Sequence, residues 1–172
     1  NAGKEFRRIY TIKRFNENLY MAGHSSGIFF IEKKGGNFYT RPHTIFSELK
    51  AVNEHTINAI CAVDSNNFLL GGINGTGLYW WDKKNKLVIR YLPDSGRLAL
   101  VNDQVTKIMR SSNGNFWVAT RGGISEFNPQ KKEFKNYFFK NANSDAKYVY
   151  DILEDSNYLW MAFYHEGLAR WN

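Results

Sequence analysis

The apolar positions of this chain recur on a long period. Ile12, Ile60, Ile108 and Ile152 stand 48, 48 and 44 residues apart, and each has a β-branched residue three positions earlier: Ile9, Ile57, Val105 and Val149. Seven or eight residues further on, a large apolar residue opens a second short run: Leu19, Phe68, Phe116 and Leu159. A glycine precedes a third run: Gly27, Gly77, Gly123 and Gly167. Runs rich in β-branched and aromatic residues, separated by Asn, Gly, Asp and Lys, predict strands joined by tight turns. Several short strands in a repeat of roughly 40–50 residues is the signature of a β-propeller blade.

The third repeat is the clearest. Strands are predicted at 105–110, 116–120, 123–127 and 133–137, with Asn113-Gly114 supplying the positive φ of the first turn. The first repeat predicts strands at 9–14, 19–23, 27–31 and 37–39, and the second at 57–63, 68–72, 77–81 and 87–91. The fourth predicts 149–154, 159–163 and 167–171 and lacks an outer strand. Lys4-Glu5-Phe6-Arg7 matches Lys132-Glu133-Phe134-Lys135, so residues 4–7 are expected to be an outer strand of another blade. The expectation is an all-β chain, a β-propeller of four-stranded antiparallel blades with about four blades present. It reads as a single partial domain over 1–172, with blades at 8–40, 56–92, 104–138 and 148–172. It is expected to be a fragment of a larger propeller or a ring closed by dimerisation. The Ile-x-x-Ile spacing departs from strict alternation, as expected of an innermost strand buried on both faces. Trp117 and Trp160 are expected to wedge between blades.

In such a meander the turns from second to third strand and the blade-to-blade connections share one face. The connections at 40–56, 92–104 and 138–147 are longer and less regular than the opposite turns, which marks that face as the functional one. It also receives His24, Ser25, Asn74, Arg121, Tyr164, His165 and Glu166. The candidate ligand-binding residues are therefore Arg121, Tyr164, His165, Glu166, His24 and Asn74. An arginine fork grips a carboxylate or sulfate, and a tyrosine ring stacks on a sugar face.

Composition narrows the chemistry. The formal charge is +7, from 23 Lys and Arg against 16 Asp and Glu. That favours acidic partners, although the pairs Lys33-Lys34, Lys83-Lys84 and Lys131-Lys132 read first as solvated hairpin residues. Cys61 is the single cysteine and is expected to be a small buried hydrophobe. No Cys/His spacing fits a metal site. No nucleophile elbow, Walker loop or dinucleotide fingerprint is present. Asp151, Glu154 and Asp155 can be read as a glycosidase carboxylate pair, but Glu154 and Asp155 enter a hairpin turn matching Ser111-Ser112 and read as solvated turn residues. No run is long and apolar enough to cross a bilayer as a helix.

Val105-Thr-Lys-Ile-Met-Arg-Ser-Ser-Asn-Gly-Asn-Phe-Trp-Val-Ala-Thr-Arg-Gly-Gly-Ile-Ser-Glu-Phe127 resembles the two-component regulator propeller repeat. Residues 149–171 look like a second copy, while in the first two repeats Tyr20 and Leu69 stand where the tryptophan would be. The resemblance implies an extracytoplasmic, periplasmic sensor region of a hybrid two-component histidine kinase of the Bacteroidetes type. It also implies a non-catalytic role, an oligosaccharide ligand and signalling to polysaccharide-utilisation genes. No cofactor or metal is implied, and the family motif carries no fixed ligand residues. Expected partners are an oligosaccharide, favoured as anionic by the charge, and another copy through blade edges or as a paired sensor. Nucleic acid is not expected, and a membrane only through parts outside this sequence. The alternatives are a glycan lyase or glycosidase on a propeller, or a protein-interaction scaffold.

Overall fold

The structure, a computed structural model, describes residues 8–94, 99–139 and 148–172. The described residues form four antiparallel meanders. The first runs β1 (Ile9–Arg14), β2 (Leu19–His24), β3 (Gly27–Lys34) and β4 (Asn37–Pro42). The second runs β5 (Thr56–Ala62), β6 (Asn67–Ile73), β7 (Gly77–Asp82) and β8 (Leu87–Tyr91). The third is β9 (Val105–Arg110), β10 (Phe116–Thr120), β11 (Gly123–Asn128) and β12 (Glu133–Tyr137). The fourth has three strands, β13 (Val149–Asp155), β14 (Tyr158–Phe163) and β15 (Gly167–Trp171). The outer strand expected at residues 4–7 lies outside the described residues.

The first strands form the hub, with β1 against β5, β5 against β9 and β9 against β13. Among the described residues β13 makes no comparable contact with β1, so the four sheets form an arc whose ends are not joined. This is an all-β propeller architecture, as the repeat predicts.

The Ile-x-x-Ile spacing has a different cause from the one expected. Each hub strand carries a β-bulge against its partner, with one unpaired residue: Tyr10, Asn58, Thr106 and Tyr150. An extra residue between two β-branched positions returns both to the same face. Ile57 and Ile60 thus face the first sheet, Val105 and Ile108 the second, and Val149 and Ile152 the third.

Three apolar seams hold the sheets together. Met21, Ile28 and Phe30 meet Ile60, Phe68, Leu70 and Trp81 in the first. Leu69, Leu78 and Trp80 meet Ile108, Phe116, Val118 and Phe127 in the second. Trp117, Ala119 and Ile124 meet Ile152, Leu159 and Met161 in the third. Trp117 is the wedge the sequence predicts. The register also corrects the repeat alignment. Ala22 opposes Ile12 as Leu70 opposes Ile60, so Met21, not Tyr20, occupies the tryptophan position of the first sheet.

The described parts of the irregular connections pack into the core, while residues 95–98 and 140–147 of the connections expected to be functional lie outside the described residues. Residues 43–52 form two 3-10 turns that bury Leu49 and Val52 in the first seam and pack Phe46 against it. Leu100 plugs the second seam and Phe139 packs on the third. At the opposite end, Lys83 lies over the Phe15 ring at 5.0 Å and Lys132 over Trp80 at 2.7 Å, so these lysines cover seam edges with their cationic heads. Lys33 and Lys34 lie within β3 rather than in a turn. Cys61 is half-buried beside the second seam, where burial pushes its thiol pKa up.

Candidate functional site

A bulge turns its unpaired side chain out of the alternating pattern. Here all four bulged residues, Tyr10, Asn58, Thr106 and Tyr150, line one axial pocket of about 400 Å3. Its size lies within the about 300–1,000 Å3 typical of small-molecule sites. The hub strands add Thr11, Lys13, Ala59, Ile60, Lys107, Ile108 and Asp151, and Ile73, Arg121 and Tyr148 complete the wall. Most of these residues lie at the start of the hub strands, with Ile73 ending β6 and Arg121 in the turn from β10 to β11, which sets the pocket toward the end of the second-to-third turns, while Lys13 lines it further along β1.

The wall pairs aromatic rings with positive charge. The Arg121 guanidinium lies 4.7 Å from the Tyr148 ring centroid. Tyr148 neighbours Tyr150 at 6.1 Å and stacks on Tyr164 at 5.0 Å, and the His165 ring stands edge-on to Tyr164 at 4.1 Å. The backbone fixes this cluster: Arg121 N donates to Gln104 O and Tyr164 N to Tyr148 O, both at 3.1 Å. Thr106 Oγ1 donates to Val149 O at 2.5 Å and ties β9 to β13. Lys107 Nζ is 2.8 Å from Asp151 Oδ1, a half-exposed pair of small energetic weight. Lys13, Lys107 and Arg121 against Asp151 leave the wall net positive. Asn58 Oδ1 is buried with no hydrogen-bond partner among the described residues, which marks a polar position not used up by the fold.

Of the residues named from sequence, Arg121 is on the pocket wall, and Tyr164 and His165 reach it through Tyr148. His24, Asn74 and Glu166 are not on the wall. His24 Nδ1 accepts from Ser26 N at 3.1 Å, and burial lowers its pKa. Asn74 serves its turn with φ of 58°, and Glu166 is exposed. Sequence reasoning missed Tyr10, Asn58, Thr106 and Tyr150. The available signal is the middle of each β-branched i, i+3 pair, once that pair is understood as a bulge.

Asp151 is on the pocket wall, whereas Glu154 is engaged elsewhere. Glu154 lies in β13 rather than in a turn and accepts from Ser112 N at 3.2 Å, from Ser112 Oγ and from Trp117 Nε1 at 3.3 Å. Burial raises its pKa, but the hydrogen bonds from Ser112, Ser111 and Trp117 outweigh this and leave it below the usual 4.5. A depressed carboxyl stabilises the fold above its unfolded value, and that contribution is lost as pH falls through the folded value. Thermal melts at a series of pH values from about 6 downward should therefore show a loss on the acid side of 4.5. Glu154→Gln should flatten that loss; an unchanged acid limb would remove Glu154 as its cause.

No helix among the described residues is long and apolar enough to cross a membrane. Among the described residues no cluster of His, Cys, Asp and Glu is placed to hold a metal ion.

The model of the two-component regulator propeller family matches residues 99–122, which hold β9, β10 and the turn bearing Arg121. No curated protein sequence matches the chain. Among solved structures, the extracellular domain named for a hybrid two component system of B. thetaiotaomicron superposes with a TM-score of 0.74 at 18% identity, covering 95% of this chain and 21% of that one. A second such domain from B. thetaiotaomicron gives a TM-score of 0.70 at 17% identity, with 94% and 20% covered. The WD40 β-propeller domain of Doa1 gives 0.67 at 15% identity, with 94% and 49% covered. The chain thus spans about a fifth of the length of the two B. thetaiotaomicron domains. These likenesses carry the fold, and the sequence match carries the repeat family. This chain is a β-propeller arc of four sheets whose residues 99–122 match the two-component regulator propeller model.

Proposed function

We propose that the chain is a non-catalytic, periplasmic sensing module of a hybrid two-component system, which binds an oligosaccharide bearing an anionic group in its axial pocket. The observation that carries this reading is the convergence of four bulged residues on one pocket with a net positive, tyrosine-rich wall. Tyr10 and Tyr150, both exposed, offer rings to the apolar face of a sugar. Arg121 and Lys13 offer charge to a sulfate or uronate. The regulator-propeller repeat and the extracellular, two-component naming of the structural neighbours support the sensory and extracytoplasmic parts.

The carboxylates favour binding over turnover. A glycosidase needs one carboxyl held protonated near neutral pH. Glu154 is shifted the opposite way, and Asp151 is ion-paired to Lys107. Signalling would follow from differential affinity: a ligand held better in one arrangement of sensor copies shifts the population toward it.

Calorimetric titration with neutral, sulfated and uronic oligosaccharides, with products followed by chromatography, tests the proposal. Saturable binding of an acidic sugar without cleavage supports it. Arg121→Ala should then weaken that sugar by about 1.5–3 kcal/mol, the range for hydrogen bonds to charged groups. Cleavage products, or no binding across the panel, would overturn it.

A further inference from the structure

Three lysines of the hairpins lie over aromatic rings, and one of them differs from the other two. Lys83 covers the Phe15 ring while its Nζ donates to Ser65 O at 2.9 Å. Lys135 lies 5.0 Å from the Tyr137 ring centroid and is hydrogen-bonded to that side chain. Lys132 Nζ stands 2.7 Å from the Trp80 ring centroid and 6.0 Å from that of Phe127. Its ammonium group has no hydrogen bond or ion pair among the described residues. This seat belongs to the second seam, inside the arc, where Trp80 and Phe127 pack at 6.1 Å.

The turn holds Lys132 in place. Its N–H donates to Asn128 O at 2.9 Å, and its φ is 59°. Asn128 Oδ1 accepts from Gln130 N and Lys131 N at 3.1 and 2.8 Å, which fixes the same turn. The two carboxylates whose charge reaches Lys132 are engaged in turns of their own. Asp82 accepts from Asn85 N and Nδ2 at 3.0 and 2.7 Å. Asp64 accepts from Asn66 N and Asn67 N at 2.7 and 2.8 Å, and its charge is shared with Arg110.

An ammonium carries three N–H donors and is strongly hydrated. A ring face shields it from water and offers no lone pair in return, so the neutral amine is favoured. Burial lowers the Lys132 pKa to about 8, and Asp82 and Asp64 offset only part of that. A desolvated lysine amine is an activated nucleophile. The approach to it is basic: Lys83, Lys84, Lys86 and Lys131 outnumber Asp64, Asp82 and Glu133 in the adjoining turns.

The geometry points to Lys132 as a covalent modification site, an amine that takes the acyl group of an acyl phosphate drawn in by the surrounding lysines. The Nζ lone pair attacks the carbonyl carbon and a C–N bond forms. The carbon–oxygen bond to phosphate breaks, phosphate leaves with the electron pair, and the surplus amine proton passes to water. The site is independent of sugar binding in the axial pocket.

Acetylation of the folded chain by acetyl phosphate, with rates resolved for each lysine by fragment mass spectrometry, tests this. Lys131 is the control, exposed in the same turn. Lys132 should be acetylated at least about tenfold faster than Lys131 at pH 7, because far more of its amine is neutral there than at the usual 10.5. Its rate should level off above about pH 8. In urea, where the Trp80 seat is gone, the two lysines should react alike. Equal or slower reaction of folded Lys132, or a preference that survives unfolding, would overturn the inference. A preference seen with uncharged acetic anhydride but absent with acetyl phosphate would overturn the donor class.

Discussion

Trp81→Ala should lower unfolding stability by about 3–5 kcal/mol, the largest single loss expected in this chain. Trp81 is fully buried at the centre of the first seam. Its ring meets Phe46 at 5.0 Å, Phe68 at 5.1 Å, Phe15 at 5.8 Å and Phe30 at 6.5 Å. Its Nε1 donates to Glu48 Oε1 at 3.0 Å, which anchors the 3-10 turn at Ser47–Val52. Truncation removes the partner of four aromatic rings from four different segments, so the hollow collapses poorly. Chemical denaturation followed by tryptophan-independent circular dichroism measures the loss. Trp81→Phe keeps much of the packing and drops the indole donor, so it should cost less. A Trp81→Ala loss below about 1 kcal/mol would contradict a packed first seam, because it is far under the range for a buried aromatic.

Gly72→Ala is the second. A Cβ there would sit 1.7 Å from Thr56 O and 2.8 Å from both Thr56 C and Thr76 Cγ2. The obstacle is backbone, so a rotamer change cannot relieve it. The start of β5 must move, and β5 carries the Asn58 bulge two residues later. The expected cost is about 3 kcal/mol or more, at or above the upper end for overpacking. Sugar affinity should fall with it, because the displaced segment lines the pocket. Gly114→Ala is the control: its φ of 86° strains an alanine, but nothing lies within 4 Å of the added carbon. Thermal melts should rank Gly72→Ala well below Gly114→Ala. Equal melting temperatures would contradict the close approach of β5 to Gly72.

Most strands are legible in the sequence because each is a short β-prone run bounded by turn residues. Asn113-Gly114 ends β9 and opens β10, and Gly123 opens β11 with its φ of 134°. The seams are legible only in part. Trp117 announces itself, but the equivalent residue in the first sheet is Met21, which no motif marks. The connection at 40–56 misleads because its irregularity resembles a functional loop. Its apolar residues Phe46, Leu49 and Val52 are the better guide, since all three pack into the first seam.

The pocket is the least legible part. Arg121 is visible because a charged residue in a tight turn stands out. Tyr10 and Tyr150 do not, since a tyrosine in a strand is ordinary β composition. Ile9 and Ile12 flanking Tyr10 look the same whether a strand is buried on both faces or bulged. Only the partner register, in which Thr11 rather than Tyr10 pairs with Gly23, separates the two cases.

The central claim is that one device, repeated in four sheets, builds one binding site. Hydrogen–deuterium exchange with and without a saturating acidic oligosaccharide tests it most directly. The account predicts added protection in four short segments around Tyr10, Asn58, Thr106 and Tyr150, with the Arg121 turn as a fifth. Protection confined to the opposite hairpins at Asp64–Asn67, Asn113–Asn115 or Asn128–Lys132, with the bulges unchanged, would contradict it.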